Sequence, residues 1–203
     1  MILKKLIFTL VALTISNTLL FAKIETHNRF LGKEDAPVTI YEFGSLACHY
    51  CADFDATIMP KIVKDYIDTG KVKYVFLDVP FGNEVNLFAH SVLYQTKTNE
   101  DFFKLLSVYY KNQAKLQSID DVKVYAKLMG ISDKDLDFAL NNKEFKDEFI
   151  KKAQKNLQDL KVEGTPTVFF VKTGQPLTAS SVKLVGVPSY DAVQREIDRL
   201  LKK

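Results

Sequence analysis

The chain has 203 residues, 28 Lys and Arg against 25 Asp and Glu, and a formal charge of +3. With 47% hydrophobic and 26% charged residues its composition is globular, which excludes a disordered, collagenous or coiled-coil protein and fits one domain, or one domain with a large insertion. The near-balanced charge argues against a nucleic-acid binder, and two cysteines are too few for a disulfide-stapled scaffold.

The first element is an export signal. Lys4 and Lys5 follow the start, an apolar run begins at Leu6, and Leu19-Leu20-Phe21-Ala22 ends on a small residue. That order matches a secretory signal peptide, with cleavage expected after Ala22 and residence in the periplasm. An uncleaved anchor is the alternative. Residues 6–22 hold five polar side chains, short and interrupted against the ~20 apolar residues of a spanning helix. Loss of Lys4 and Lys5 lowers the 28 basic residues to 26 against 25 acidic ones, so the mature chain is about neutral.

Residues 23–37 read as a short polar lead. Residues 38–43, rich in β-branched and aromatic side chains, read as a strand. After the turn Gly44-Ser45-Leu46-Ala47 a helix begins near Cys48, with apolar positions at Cys51, Phe54, Ile58, Ile62 and Tyr66. Pro60 falls inside it and should kink it. A second strand covers 72–79. Residues 83–160 contain only helical patterns, at 87–94, 102–110, 122–129 and 136–140, then a longer one through Phe145, Phe149, Ala153, Leu157 and Leu160. These stripes read as packing core rather than as a cofactor box, so no cofactor is expected. Strands return at 167–171 and 182–185, and Ser189 caps a last helix that buries Val193, Ile197, Leu200 and Leu201. The class is α/β: a β-α-β start and a β-β-α finish bracket an all-helical middle.

The chemistry lies in Cys48-His49-Tyr50-Cys51, directly after a strand and opening a helix. At a helix start, unpaired backbone N–H groups and the positive end of the macrodipole stabilise a thiolate. Cys51, one turn on, begins the buried stripe, so Cys48 is expected to be exposed and Cys51 covered. His49 adds a positive charge or a donor near the Cys48 sulfur. Two other readings compete. A structural disulfide across so small a loop adds little stability. A zinc site would need His27, His49 or His90 without zinc-site spacing. His27 and His90 are assigned no chemical role.

Glu42 shares a strand face with Val38 and Ile40, whereas Tyr41 and Phe43 share the other with Thr39. Both faces are apolar, so the pattern leaves open whether Glu42 is buried or solvated. If buried, its carboxyl would ionise at higher pH and suit proton exchange with Cys51. Thr165-Pro166 heads the apolar run at 167–171, an odd place for Pro unless its missing N–H faces a ligand or a bend.

The stretch from Glu42 to Cys51, the helical middle and Gly164-Thr165-Pro166-Thr167 together resemble the DsbA-type branch of the thioredoxin superfamily, across essentially the whole mature chain. The resemblance implies a thioredoxin fold interrupted by a large helical insertion at about 83–160. It implies that Cys48 is the nucleophile and Cys51 the resolving thiol, and that Pro166 is a cis-proline facing them. It places Thr165 where backbone holds substrate peptide and Glu42 at a buried acid position. Its partners would be folding secreted proteins bearing cysteines and a DsbB-like membrane protein that passes electrons to quinone. One departure stands out: His49-Tyr50 occupies the place where DsbA-type oxidases commonly have Pro-His. Tyr before the second Cys and Thr before the cis-Pro are more usual in the isomerase branch. Residues 23–37 are too few for the N-terminal dimerisation domain of periplasmic isomerases, which favours disulfide donation. The alternatives are an isomerase or reductase kept reduced by a different membrane partner, and a chaperone-like binder of the same fold.

Overall fold

The computed structural model describes residues 29–202; residues 1–22, read in the sequence as an export signal, and His27 lie outside them. Among the described residues, five strands form one mixed sheet. They are β1 (Arg29–Leu31), β2 (Val38–Gly44), β3 (Val72–Asp78), β4 (Thr167–Lys172) and β5 (Val182–Val185), in the spatial order β1-β3-β2-β4-β5. Strand β2 is central, parallel to β3 and antiparallel to β4, while β1 and β5 run antiparallel on the two edges. The parallel β2–β3 pair needs a crossover, supplied by α1 (His49–Thr57), α2 (Met59–Ile62) and a π-helical turn over Val63–Ile67.

Between β3 and β4 come five α-helices: α3 (Glu84–Leu93), α4 (Asn99–Lys111), α5 (Ile119–Leu128), α6 (Asp133–Asn141) and α7 (Lys143–Asp159). A short 3₁₀ turn, Gln113–Lys115, follows α4. Side-chain oxygens of Asn83, Thr98, Ser118, Ser132 and Asn142 accept backbone N–H groups at the five helix starts. Helix α8 (Tyr190–Leu201), capped by Ser189, ends the chain. This is the thioredoxin fold with a large helical insertion.

Three apolar clusters hold these layers. Val38, Ile40, Tyr74, Val168 and Phe170 cover one sheet face together with Phe54, Ile58 and Ile62 of the crossover and Val193 and Ile197 of α8. Phe43 and Phe169 on the opposite face meet Leu160 and Val79. The third cluster joins Leu46, Cys51 and Phe76 to the insertion through Phe88, Val92, Phe102, Leu106 and Tyr109. Both faces of β2 are therefore covered, which explains why its alternation is uninformative: a strand buried on both sides reads as continuously apolar.

Two local expectations are corrected. The segment read as a polar lead contains β1, which pairs Arg29, Phe30 and Leu31 with Phe76, Val75 and Tyr74. Pro60 does not kink one continuous helix. Helix α1 ends at Thr57, and Pro60 lies in the first turn of a separate helix α2, where its missing N–H has no intrahelical partner to lose. The buried stripe nevertheless continues across the break, because Ile58, Ile62 and Tyr66 all remain in the core.

Candidate active site at the start of helix α1

Strand β2 delivers the chain to a tight turn at its carboxyl end. The N–H of Cys48 donates to the Ser45 carbonyl at 3.1 Å, and the Cys48 carbonyl accepts from the N–H groups of Cys51 at 3.1 Å and Ala52 at 3.3 Å. Cys48 is thus the N-cap of α1, in extended conformation, and its side chain makes no capping bond to the helix. Its thiol instead donates to the carbonyl of Thr165 at 3.2 Å. Both cysteines are free thiols: Cys48 is half-buried and Cys51 is 0% exposed. A half-buried sulfur at a helix start can attack or be attacked, whereas a buried one can only be reached from its neighbour.

The Thr165–Pro166 bond is cis. Pro166 is buried and Thr165 half-buried. The loop is tied locally, with the Thr167 hydroxyl donating to the Gly164 carbonyl at 2.7 Å and the Gly186 N–H to the Pro166 carbonyl at 2.8 Å. Segments 117 residues apart in sequence thereby meet at one sheet end. His49 and Tyr50 are exposed, and their rings lie 3.9 Å apart, so the His49 ring packs on Tyr50.

Glu42, in central strand β2 opposite Val168, is 2% exposed. The Tyr74 hydroxyl donates to its Oε2, while Oε1 is buried without a hydrogen-bond partner among the described residues. Burial pushes this carboxyl up to about 8; the Tyr74 bond opposes that shift and the charge of Asp55 adds to it. Burial, and secondarily the proximity of Glu42, also pushes the Cys51 thiol well above the usual thiol range. Burial thus disfavours the charged form of both groups, the Glu42 carboxyl and the Cys51 thiol.

Near the turn lie Asp78 and Gln113, which the sequence did not single out, and His90, to which it assigned no chemical role. His90, 0% exposed on α3, accepts the Leu46 N–H at its Nε2 (3.1 Å) and lies 2.7 Å from Asp78 Oδ1 through its Nδ1. Gln113 Nε2 donates to the Leu46 carbonyl at 2.6 Å. His90, set aside in the sequence, is thus a direct support of the active-site turn. The contacts of His90 and Gln113 with Leu46 have no local motif, since they span 44 and 67 residues of chain.

A family model described as Thioredoxin matches residues 25–178. The chain belongs to the thioredoxin family. Among curated proteins, a Bacillus cereus protein named "Probable disulfide bond formation protein D" is 30% identical, over 85% of this chain and 78% of its own length. "Disulfide bond formation protein D" of Bacillus subtilis is 28% identical, over 85% and 76%. Among solved structures, oxidised BdbD from Bacillus subtilis is 25% identical with a TM-score of 0.72, covering 87% of this chain and 94% of that one. Wolbachia pipientis alpha-DsbA1, 23% identical, shares the fold at a TM-score of 0.80 over 87% and 92%. Within its family the chain is a DsbA-type thiol-disulfide oxidoreductase.

The state of Glu42 makes stability depend on pH. A carboxyl that ionises near 4.5 when unfolded and near 8 when folded costs nothing below the lower value. Its contribution to stability is lost as pH rises through the window between them, because only the unfolded chain then ionises freely. Glu42→Gln keeps an acceptor for Tyr74 and removes this cost. The variant should be more stable than the unchanged protein by about 3 kcal/mol at pH 7, with the difference closing toward pH 4. Denaturant titrations at the two pH values measure it, and a difference independent of pH would mean that the carboxyl is not held neutral.

Proposed function

We propose that the protein is exported and donates disulfides to folding secreted proteins through a Cys48–Cys51 redox pair. The observation that carries this reading is the asymmetry of the two sulfurs: Cys48 is half-buried at the start of α1 against the Thr165 carbonyl, whereas Cys51 is fully buried in the core. In the oxidised protein a substrate thiolate attacks the Cys48 sulfur. The new S–S bond joins substrate to Cys48, and the Cys48–Cys51 bond breaks, leaving Cys51 as a thiolate that takes the proton of Glu42. A second substrate thiolate then attacks the substrate sulfur of the mixed disulfide. Its bond to Cys48 breaks and Cys48 leaves as a thiolate, so the substrate carries away a disulfide and the protein is left two electrons richer, with Cys51 a thiol; solvent then returns a proton to Glu42.

Thr165 and Pro166 line the approach to Cys48. The Thr165 carbonyl, which accepts the Cys48 thiol, would accept an N–H from a bound substrate strand once that thiol is engaged in a mixed disulfide. Exposed Tyr50 and His49 offer an aromatic surface on the same helix start. Reoxidation falls to a DsbB-like membrane partner. Export rests on the segment 1–22, and the relatives named for disulfide bond formation favour the donor direction. The mature protein should begin at Lys23, as N-terminal sequencing of envelope-derived protein would read; retention of Met1 on a membrane-bound form would contradict export by cleavage.

Equilibration with glutathione tests the direction of exchange. A donor should have a potential well above the roughly −270 mV of thioredoxin, toward the approximately −120 mV of a strong oxidant. In parallel, replacement of both cysteines by Ser should abolish oxidation of a reduced unfolded substrate. A potential near that of thioredoxin would favour a reductase, and a protein that oxidises no substrate yet suppresses aggregation of an unfolded one equally well with and without its cysteines would be a chaperone-like binder.

A further inference from the structure

The turn that presents Cys48 is held from outside the thioredoxin core, by the helical insertion. Leu46 lies two residues before Cys48, and its peptide groups are gripped on both sides. Its N–H donates to His90 Nε2 on α3 at 3.1 Å, and its carbonyl accepts from Gln113 Nε2, after α4, at 2.6 Å. A ring nitrogen that accepts carries no hydrogen, so the His90 proton sits on Nδ1, facing Asp78 Oδ1 at 2.7 Å. The other Asp78 oxygen accepts the Tyr94 hydroxyl. Arg29 braces the same corner, donating to the carbonyls of Tyr94 and Thr96. The Leu46 side chain is itself buried among insertion residues. Because the Cys48 N–H is bonded back to the Ser45 carbonyl, displacement of Leu46 carries Cys48 with it.

We propose that His90, fixed by Asp78, and Gln113 are positioning residues for Cys48. By clamping the Leu46 peptide they hold the Cys48 sulfur at the α1 start and against Thr165, and so tune its exchange chemistry from the insertion. The proposal rests on the reading of Cys48 as the exchanging sulfur.

Two substitutions at one position separate the clamp from mere core stability. The longer amide of His90→Gln places an acceptor near the position of Nε2 and can retain the Leu46 bond. The shorter amide of His90→Asn reaches toward Asp78 and leaves the Leu46 N–H without an acceptor. Both remove the ring and should lose stability similarly. The glutathione exchange equilibrium of His90→Asn should shift toward the protein disulfide by about three- to tenfold, the weight of one hydrogen bond, because a loosened turn stabilises the reduced Cys48 less well. Cys48 alkylation should slow by a similar factor. His90→Gln should restore most of both readouts. Gln113→Ala, at a half-buried site that tolerates truncation, should shift them in the same direction as His90→Asn and keeps the test intact if a His90 variant does not fold. Equilibria unchanged in His90→Asn and Gln113→Ala, or equal shifts in His90→Asn and His90→Gln that follow stability alone, would overturn the clamp. If Cys48 of the unchanged protein alkylates no faster than Cys51, the reading of Cys48 and the clamp fall together, whereas a fast Cys48 indifferent to these substitutions removes the clamp alone.

Discussion

The active site depends on the register between β2 and β4. Thr167 lies opposite Phe43 and Val168 opposite Glu42, and at the far end the Thr39 and Thr173 hydroxyls meet at 2.7 Å. With that register, the residues just beyond each strand, the Ser45–Cys48 turn on one side and Thr165-Pro166 on the other, emerge together at one sheet end. A slip of one residue would turn Val168 and Phe170 away from α8 and the crossover helices while moving Thr165 off the Cys48 sulfur. The apolar clusters on both sheet faces penalise such a slip, so packing far from the thiols secures the contact between them and the cis-proline loop.

Given that frame, the two thiols differ through ordinary electrostatics. Cys48 stands where the helix leaves its first amides unpaired, and Cys51, a turn later, is taken into the core shared with the insertion. Glu42 is an unfavourable residue in a central strand, desolvated and with one oxygen unpaired. Such a group is destabilising at neutral pH, and strongly perturbed ionisable groups of this kind gather at functional sites. The insertion covers Cys51, and its Leu46 contacts make it part of the site.

Much of this was readable in the sequence, because the signals were local. The stripe Cys51, Phe54, Ile58, Ile62, Tyr66 and the apolar run after Pro166 marked the buried face of the crossover and a buried strand, and Cys48 lies at the strand-to-helix turn that the sequence indicated. Other features were hidden for physical reasons. Strand β1 has three residues, too few to show an alternation. The burial of Glu42 could not be read from β2, since a strand covered on both faces has no polar side to compare. His90 and Gln113 act on Leu46 across 44 and 67 residues of chain, and a lone His on an apolar helix face looks the same whether it fills space or holds a backbone amide.

The central claim is that the fold makes two chemically unlike thiols from two residues three positions apart. Competitive alkylation of the reduced protein at mildly acidic pH, with the labelled site located by mass spectrometry, tests it most directly. The account predicts that Cys48 is modified at least about tenfold faster than Cys51, since reactivity follows thiolate character and access. Equal labelling of the two, or earlier labelling of Cys51, would contradict it.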